Sequence, residues 1–195
     1  MLGLVDSKKV VIVGIPGVGK TSLVTKLVEL ITQQSKTVSV HSFGTVMLEE
    51  AMKNGIKDRD ELRTLPIEKQ QELQKMAAED ISNMEDDVIL IDTHAFISTK
   101  SGFYPGLPNY VIQIIKPTNF IAITASPDEI HNRRMKDTTR NRDPVSIEDI
   151  KKELAVQDAM LSSCSVLSGS PMKVVFNHEG NVEEAAKSVL GAIGL

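Results

Sequence analysis

The sequence predicts an α/β fold, a parallel sheet covered by helices on both sides. Two observations carry that expectation. Short apolar runs alternate with amphipathic stretches almost from end to end of the 195 residues. Runs that apolar, with helix-length segments between them, mark parallel strands buried on both faces. The length suits one domain with a full-sized core.

Taken in order, residues 9–13 (Lys-Val-Val-Ile-Val) form a β-branched run that leads into glycines and predict a buried strand. Residues 21–31 follow with Leu23, Leu27 and Leu30 at helical spacing. Residues 37–41 are a second strand candidate, and 47–54 a helix that stops near Gly55. Residues 67–84 predict a long charged helix, with Pro66 suited to its first turn. Residues 88–92 are the clearest buried strand; 119–124 are another and 173–177 the last. Helices fill the gaps at 109–115, 128–136, 147–167 and 182–193. Residues 98–108, rich in Gly and Pro, and 137–144, rich in charge, are expected to be irregular.

Composition narrows the function classes. Apolar residues make up 41% and charged residues 25%, ordinary for a soluble globular protein. The net charge of -4 supplies no global field for nucleic acid or an acidic membrane, so neither partner is expected. No apolar run reaches the roughly 18 residues that a spanning helix needs. The apolar stretch before Asp6 is too short for a signal-peptide core. The single cysteine, Cys164, excludes an intramolecular disulfide, points to a reducing cytoplasm and is expected to be a small packed residue.

The chemistry concentrates between the first strand and the first helix. Gly14, Ile15, Pro16, Gly17, Val18, Gly19, Lys20 and Thr21 complete the pattern G-x-x-x-x-G-K-[ST], with Ser22 next in line. Glycines let backbone N–H groups turn inward around phosphate oxygens, and the helix that follows adds free N–H groups and its positive dipole end. Lys20 is expected to bridge the β- and γ-phosphates of ATP, and the Thr21 hydroxyl to hold Mg²⁺.

Five further groups bear on that site. Asp92 ends a strand in the manner of a Walker B acid and is expected beside the metal; a solvated strand-end Asp is the alternative. His94 either touches an acceptor phosphate or serves a hydrogen bond in a turn. Arg133, Arg134, Lys136, Arg140 and Arg142 crowd one stretch. With a phosphate loop in the chain, a cationic lid over the transferring phosphate is favoured over a solvated loop, with Arg134 the member left to solvent. Arg59 and Arg63, at i and i+4 of one helix face, either clamp an acceptor phosphate or pair with Asp58, Asp60 or Glu61. Residues 101–108 carry Phe103 and Tyr104 on a Gly/Pro frame, either the wall of a base pocket or a connector.

Taken together, residues 14–21, 57–63, 91–94, 101–108 and 136–142 resemble the archaeal-type adenylate kinases, over nearly the whole chain. The resemblance implies a P-loop kinase fold with a five-stranded parallel sheet. It implies a core of 1–42, 86–136 and 146–195, an AMP-binding helical insertion at 43–85, a short lid at 137–145 and a homo-oligomer, often a trimer. It implies MgATP plus AMP giving two ADP. By position, Lys20 and Thr21 serve ATP and metal, and Arg59 and Arg63 lie on the AMP side. Arg133, Lys136, Arg140 and Arg142 lie at the lid, and the ATP base rests near 177–181. One departure stands out: no arginine occurs between Arg63 and Arg133, where such kinases place one against the AMP phosphate. Lys100 or His94 would have to substitute.

Two other functions remain open at this point. A related kinase acting on another nucleotide or a small alcohol would need a base for a hydroxyl acceptor. A catalytically silent ATP-binding module is the other. The segments 92–95 and 177–180 match neither of the motifs a GTPase switch requires, and 167–170 is expected to be a helix-ending turn.

Overall fold

The structure is a computed structural model that describes residues 7–99, 101–136 and 145–195; for Arg63 it describes the main chain but not the side chain. Its elements run β1 (Lys8–Val13), α1 (Lys20–Gln33), β2 (Val38–Ser42), α2 (Phe43–Lys53), α3 (Arg59–Thr64), α4 (Ile67–Ser82), β3 (Val88–Thr93), β4 (Phe96–Thr99) and β5 (Gly102–Pro105). They continue with α5 (Asn109–Ile115), β6 (Asn119–Thr124), α6 (Pro127–Lys136), α7 (Ile147–Ser168), β7 (Met172–Phe176) and α8 (Val182–Ile193).

Five strands form one parallel sheet in the order β2-β3-β1-β6-β7. Alternate residues of each strand feed opposite layers, as the two-residue period of a strand requires. Val10, Ile12, Leu90, Ile121 and Ile123 meet Leu23, Leu27 and Ile31 of α1 and Ala186, Val189 and Ile193 of α8. Val11, Val13, Ile89, Ile91 and Phe120 meet Met47 of α2, Leu73 and Ile81 of α4, Ile115 of α5 and Leu161 of α7. Cys164 is buried in this second layer, with its thiol 3.8 Å from the Leu107 carbonyl oxygen, and burial pushes the thiol's pKa up. It is a packing residue, as expected.

Three local expectations are corrected. Residues 98–108 are not wholly irregular: β4 and β5 form an antiparallel hairpin. Gly102, at φ 122°, takes a conformation closed to other residues, and Phe96 meets Phe103 edge-on at 5.0 Å. The helix expected from residue 47 begins at Phe43, because Phe43 and Val46 bury against the sheet and draw the chain into helix early. Pro66 caps α4 rather than entering it, its carbonyl accepting from the N–H groups of Lys69 (3.0 Å) and Gln70 (3.1 Å). The turn expected at 167–170 is present, with α7 closed by Gly169 at φ 73°. Among the described residues no helix is long and apolar enough to cross a membrane.

Candidate active site

The sheet order decides where the chemistry sits. β1 lies between β3 and β6, with Ile12 level with Asp92 and Val13 with both Thr93 and Ala122. The loop leaving β1 therefore opens at the carboxyl edge of the sheet, beside the end of β3, where ligands of open α/β sheets bind. Gly17 and Gly19 have φ of 92° and 79°, and a Cβ on Gly19 would stand 2.5 Å from the Asn177 amide nitrogen. Only glycine fits there.

Four consecutive carbonyls of this loop are held from outside by side chains. Arg134 Nε donates to Pro16 O at 2.8 Å, and Arg133 Nη1 to Gly17 O at 3.4 Å. Asn177 Nδ2 donates to Val18 O at 2.8 Å and to Gly19 O at 3.3 Å. A peptide unit whose C=O is pinned outward has its N–H on the opposite side. The loop is thus built as an anion cradle before any anion arrives.

The clamps are themselves anchored. Arg134 pairs with Glu153 of α7 at 2.6 Å, and its side chain is only 9% exposed. The expectation that Arg134 is the cation left to solvent is wrong. The side chain runs inward because its planar fork reaches a carbonyl and a carboxylate at once. Arg133 also donates to the Asn177 carbonyl oxygen at 3.0 Å. Glu129 closes the set. It caps α6 by accepting from Ser126 N (3.1 Å) and Oγ (3.0 Å), while its other oxygen accepts from Glu179 N (3.0 Å) in the turn after β7. The Glu179 and Ser126 N–H groups, then the Ser126 hydroxyl and Arg133, pull the carboxyl down to about 2.

Lys20 opens α1 and reaches the end of β3, where Nζ contacts the Asp92 carboxylate and lies 3.3 Å from the Thr93 carbonyl oxygen. Burial pushes its ammonium down to about 8, while the carboxylate in contact acts in the opposite sense. Thr21 and Ser22 are exposed at the start of the helix. Among the described residues no cluster of three His, Cys, Asp or Glu could cage a metal. One hydroxyl and one carboxylate beside a phosphate cradle are nevertheless donors that would suit a hard divalent cation such as Mg²⁺.

A cavity of about 320 Å³ opens between these groups and the helices that follow β2, lined by Lys20, Asp92, His94, Arg59, Gln70 and Gln74 among others. Its size suits a small-molecule ligand. His94 is exposed on its wall. Arg59 donates from Nη2 to Thr45 Oγ1 at 2.9 Å. Of the base-wall candidates, Pro105 and Gly106 reach the cavity lining, while Phe103 packs on Phe96 and under Lys152. Lys136 is exposed at the end of α6. Arg140, Arg142 and Lys100 lie outside the described residues, as does the side chain of Arg63.

Sequence reasoning missed three groups here: the Asn177 side chain, Arg134 as a clamp and the Glu129 bridge. Ser126 with Glu129 does carry the spacing of a capping box, a signal that marks the start of α6.

The comparisons agree with this geometry. A family model described as an AAA domain matches residues 13–151. An adenylate kinase of Methanocaldococcus jannaschii is 37% identical over 186 residues, covering 94% of this chain and 97% of that one. An adenylate kinase of Sulfurisphaera tokodaii is 40% identical over 191 residues, with coverage of 94% and 97%. Among solved structures, two shikimate kinases share the fold. The protein from Bacteroides thetaiotaomicron is 12% identical, with a TM-score of 0.58 and coverage of 96% and 99%. The one from Acinetobacter baumannii, in complex with shikimate, is 13% identical, with a TM-score of 0.54 and coverage of 96% and 93%. With identities this high to the former pair, over nearly its full length, the chain belongs to the archaeal adenylate kinase family.

Proposed function

We propose that the protein is an adenylate kinase that moves the γ-phosphoryl group of MgATP onto AMP, giving two ADP. The observation that carries this reading is the shared position of Lys20. It is the last residue of a prebuilt phosphate cradle and also lines the roughly 320 Å³ cavity on the side of the inserted helices. One cation thus faces two anionic substrates, as a transfer between them requires.

In this reading residues 14–22 hold the ATP phosphates and the 43–85 insertion holds AMP, with Arg59, Arg63 and His94 toward its phosphate. Segment 137–145 is the lid, and Arg133, Lys136, Arg140 and Arg142 supply cations around it. Arg133 acts through the main chain, since its guanidinium already holds Gly17 O and Asn177 O. Thr21 and Asp92 hold the Mg²⁺, which when bound offsets charge on the transferring phosphate oxygens. The acceptor is a phosphate oxygen that is already anionic, so no general base is needed. Positioning, charge neutralisation by Lys20 and exclusion of water do the work. The family resemblance adds a homo-oligomer, a trimer by expectation, and the single cysteine, Cys164, points to a cytoplasmic location.

The test is ADP formation from ATP with AMP, CMP, GMP or UMP as acceptor. AMP-dependent turnover that disappears in Lys20→Met supports the reading. Absence of AMP-dependent turnover in the intact protein, with ATP still bound, overturns it.

A further inference from the structure

The outward carbonyls of the phosphate loop are not all held alike. Asn177 and Arg133 hold those of Gly17, Val18 and Gly19. The first, Pro16 O, is held by Arg134, whose Nη2 also donates to Glu153 Oε2 of α7 at 2.6 Å. The stem of Arg134 lies along the loop, for a Cβ on Gly17 would stand 3.1 Å from Arg134 Cγ. One side chain thus joins α6, α7 and the loop. A guanidinium suits this task because its rigid fork aims separate donors in fixed directions.

The loop has room to move at this end. Gly14, Ile15 and Pro16 line a second cavity, of about 230 Å³, which Glu153 and Gln157 of α7 also line. Inside the loop the backbone offers a long bond, Val18 N to Ile15 O at 3.4 Å. Pro16 has no N–H of its own to anchor it. The Arg134 tether therefore decides which way the Pro16–Gly17 peptide faces, and hence whether the Gly17 N–H is presented to a phosphate. The tether depends in turn on Glu153. The Arg134 side chain is only 9% exposed. Without the carboxylate its cation is stranded in a place poor in water, and its long stem lets it leave for solvent. Pro16 O then loses its donor.

Resting on the reading of this loop as the ATP site, we infer that Glu153 is a positioning residue for the donor nucleotide: it acts through Arg134, keeping the guanidinium on Pro16 O so that the Gly17 N–H faces the polyphosphate. Glu153 needs no contact with the nucleotide for this. A carboxylate near a triphosphate is unfavourable by itself, and pairing with Arg134 offsets that repulsion. Two consequences separate the role from simple packing. Substitutions at 153 weaken the donor nucleotide and leave the acceptor alone. They also lose their effect once Arg134 is gone, because the tether they act through is already absent.

The experiment measures ATP affinity by calorimetry, the KM for AMP at saturating ATP and the urea midpoint. It compares the intact protein with Glu153→Gln, Glu153→Ala, Arg134→Met and the double variant Arg134→Met, Glu153→Ala. Glu153→Ala and Arg134→Met should each weaken ATP about 10-fold, the worth of one hydrogen bond from a charged donor, with the AMP KM within about two-fold of the intact protein. The double variant should also lose about 10-fold and no more. Glu153→Gln keeps an acceptor oxygen for Arg134 and should retain ATP within about three-fold. In urea the double variant should be the more stable of the two that lack Glu153, since it strands no cation. ATP affinity unmoved in Glu153→Ala, whatever its urea midpoint, overturns the inference by leaving Glu153 a structural role only. A double variant weakened about 100-fold overturns it too, for the two residues would then act independently. If Glu153→Ala does not fold, the comparison of Arg134→Met with the double variant decides in the same way: equal ATP affinities support the inference and a further loss overturns it. No ATP binding in the intact protein would instead strike the reading of the loop itself.

Discussion

Substituting Asn177 by alanine tests whether the phosphate loop is shaped from behind. Asn177 is 5% exposed, and its amide nitrogen donates at 2.8 Å to Val18 O and at 3.3 Å to Gly19 O. The second bond is long, and Gly19 O also serves the first turn of α1 through Leu23 N at 3.1 Å, so its loss matters little. The first is different. Val18 O would face a buried space with no donor, at a cost of about 1–3 kcal/mol. The loop can escape by turning that peptide, which swings the Val18–Gly19 N–H away from the bowl. If the full ~2 kcal/mol must then be restored when ATP binds, affinity falls about 30-fold. The assay is ATP binding by calorimetry beside KM for AMP and a urea titration. The expected result is ATP weakened by roughly 10–30-fold with the AMP KM within about two-fold of the intact protein. A loss of about 2 kcal/mol in urea stability with ATP affinity unmoved would refute the reasoning, for it would make Asn177 a packing group.

Three further outcomes follow from the same frame. Glu129→Gln should lower stability at pH 7 by about 1–2 kcal/mol, a value reduced for solvent screening of a partly exposed carboxylate. Its native pKa is depressed from 4.5 to about 2, so the stabilisation is full above 4.5 and fades as the pH falls toward 2. Urea titrations of the two proteins should therefore differ at pH 7 and converge near pH 2–3; a constant gap contradicts the assignment. Gly19→Ala should abolish turnover, because the new Cβ meets the Asn177 amide at 2.5 Å in a left-handed backbone. Gly191→Ala, in α8 with open space around it, should raise stability by about 0.5–1 kcal/mol in thermal unfolding and leave kinetics alone.

Much of this was legible in the sequence, and the part that was not has a physical reason. The strand runs announced themselves because parallel strands bury both faces, so β1, β3 and β6 each carry four apolar residues in a row. Lys20 and Asp92 could be paired in advance because each ends its own strand-edge motif. Arg134 was misjudged because a run of charges gives no hint of which helix face meets a neighbour. Arg133 and Arg134 differ by 100° around α6, and both turn inward because the P-loop lies against that side with its carbonyls outward. The hairpin of β4 and β5 escaped notice because Gly and Pro signal turns without saying whether two short strands flank them.

The contact between Lys20 and Asp92 imposes a last requirement on any account of this site. Lys20 is 13% exposed and Asp92 33%, so each is partly stripped of water and depends on the other for compensation while no nucleotide is bound. In the proposed function Lys20 would turn to the triphosphate and Asp92 would help to hold the metal, so each charge would keep an opposite partner. Removing Lys20 alone breaks that balance, and Lys20→Met should destabilise the nucleotide-free protein by about 1–3 kcal/mol through the stranded carboxylate. Removing both charges restores it. The double variant Lys20→Met, Asp92→Asn should recover most of that stability in urea while remaining without kinase activity. A double variant as unstable as the two single losses added together would mean that the groups do not compensate one another. Lys20 would then be held by the fold alone, and the exchange of partners on nucleotide binding would have no energetic basis.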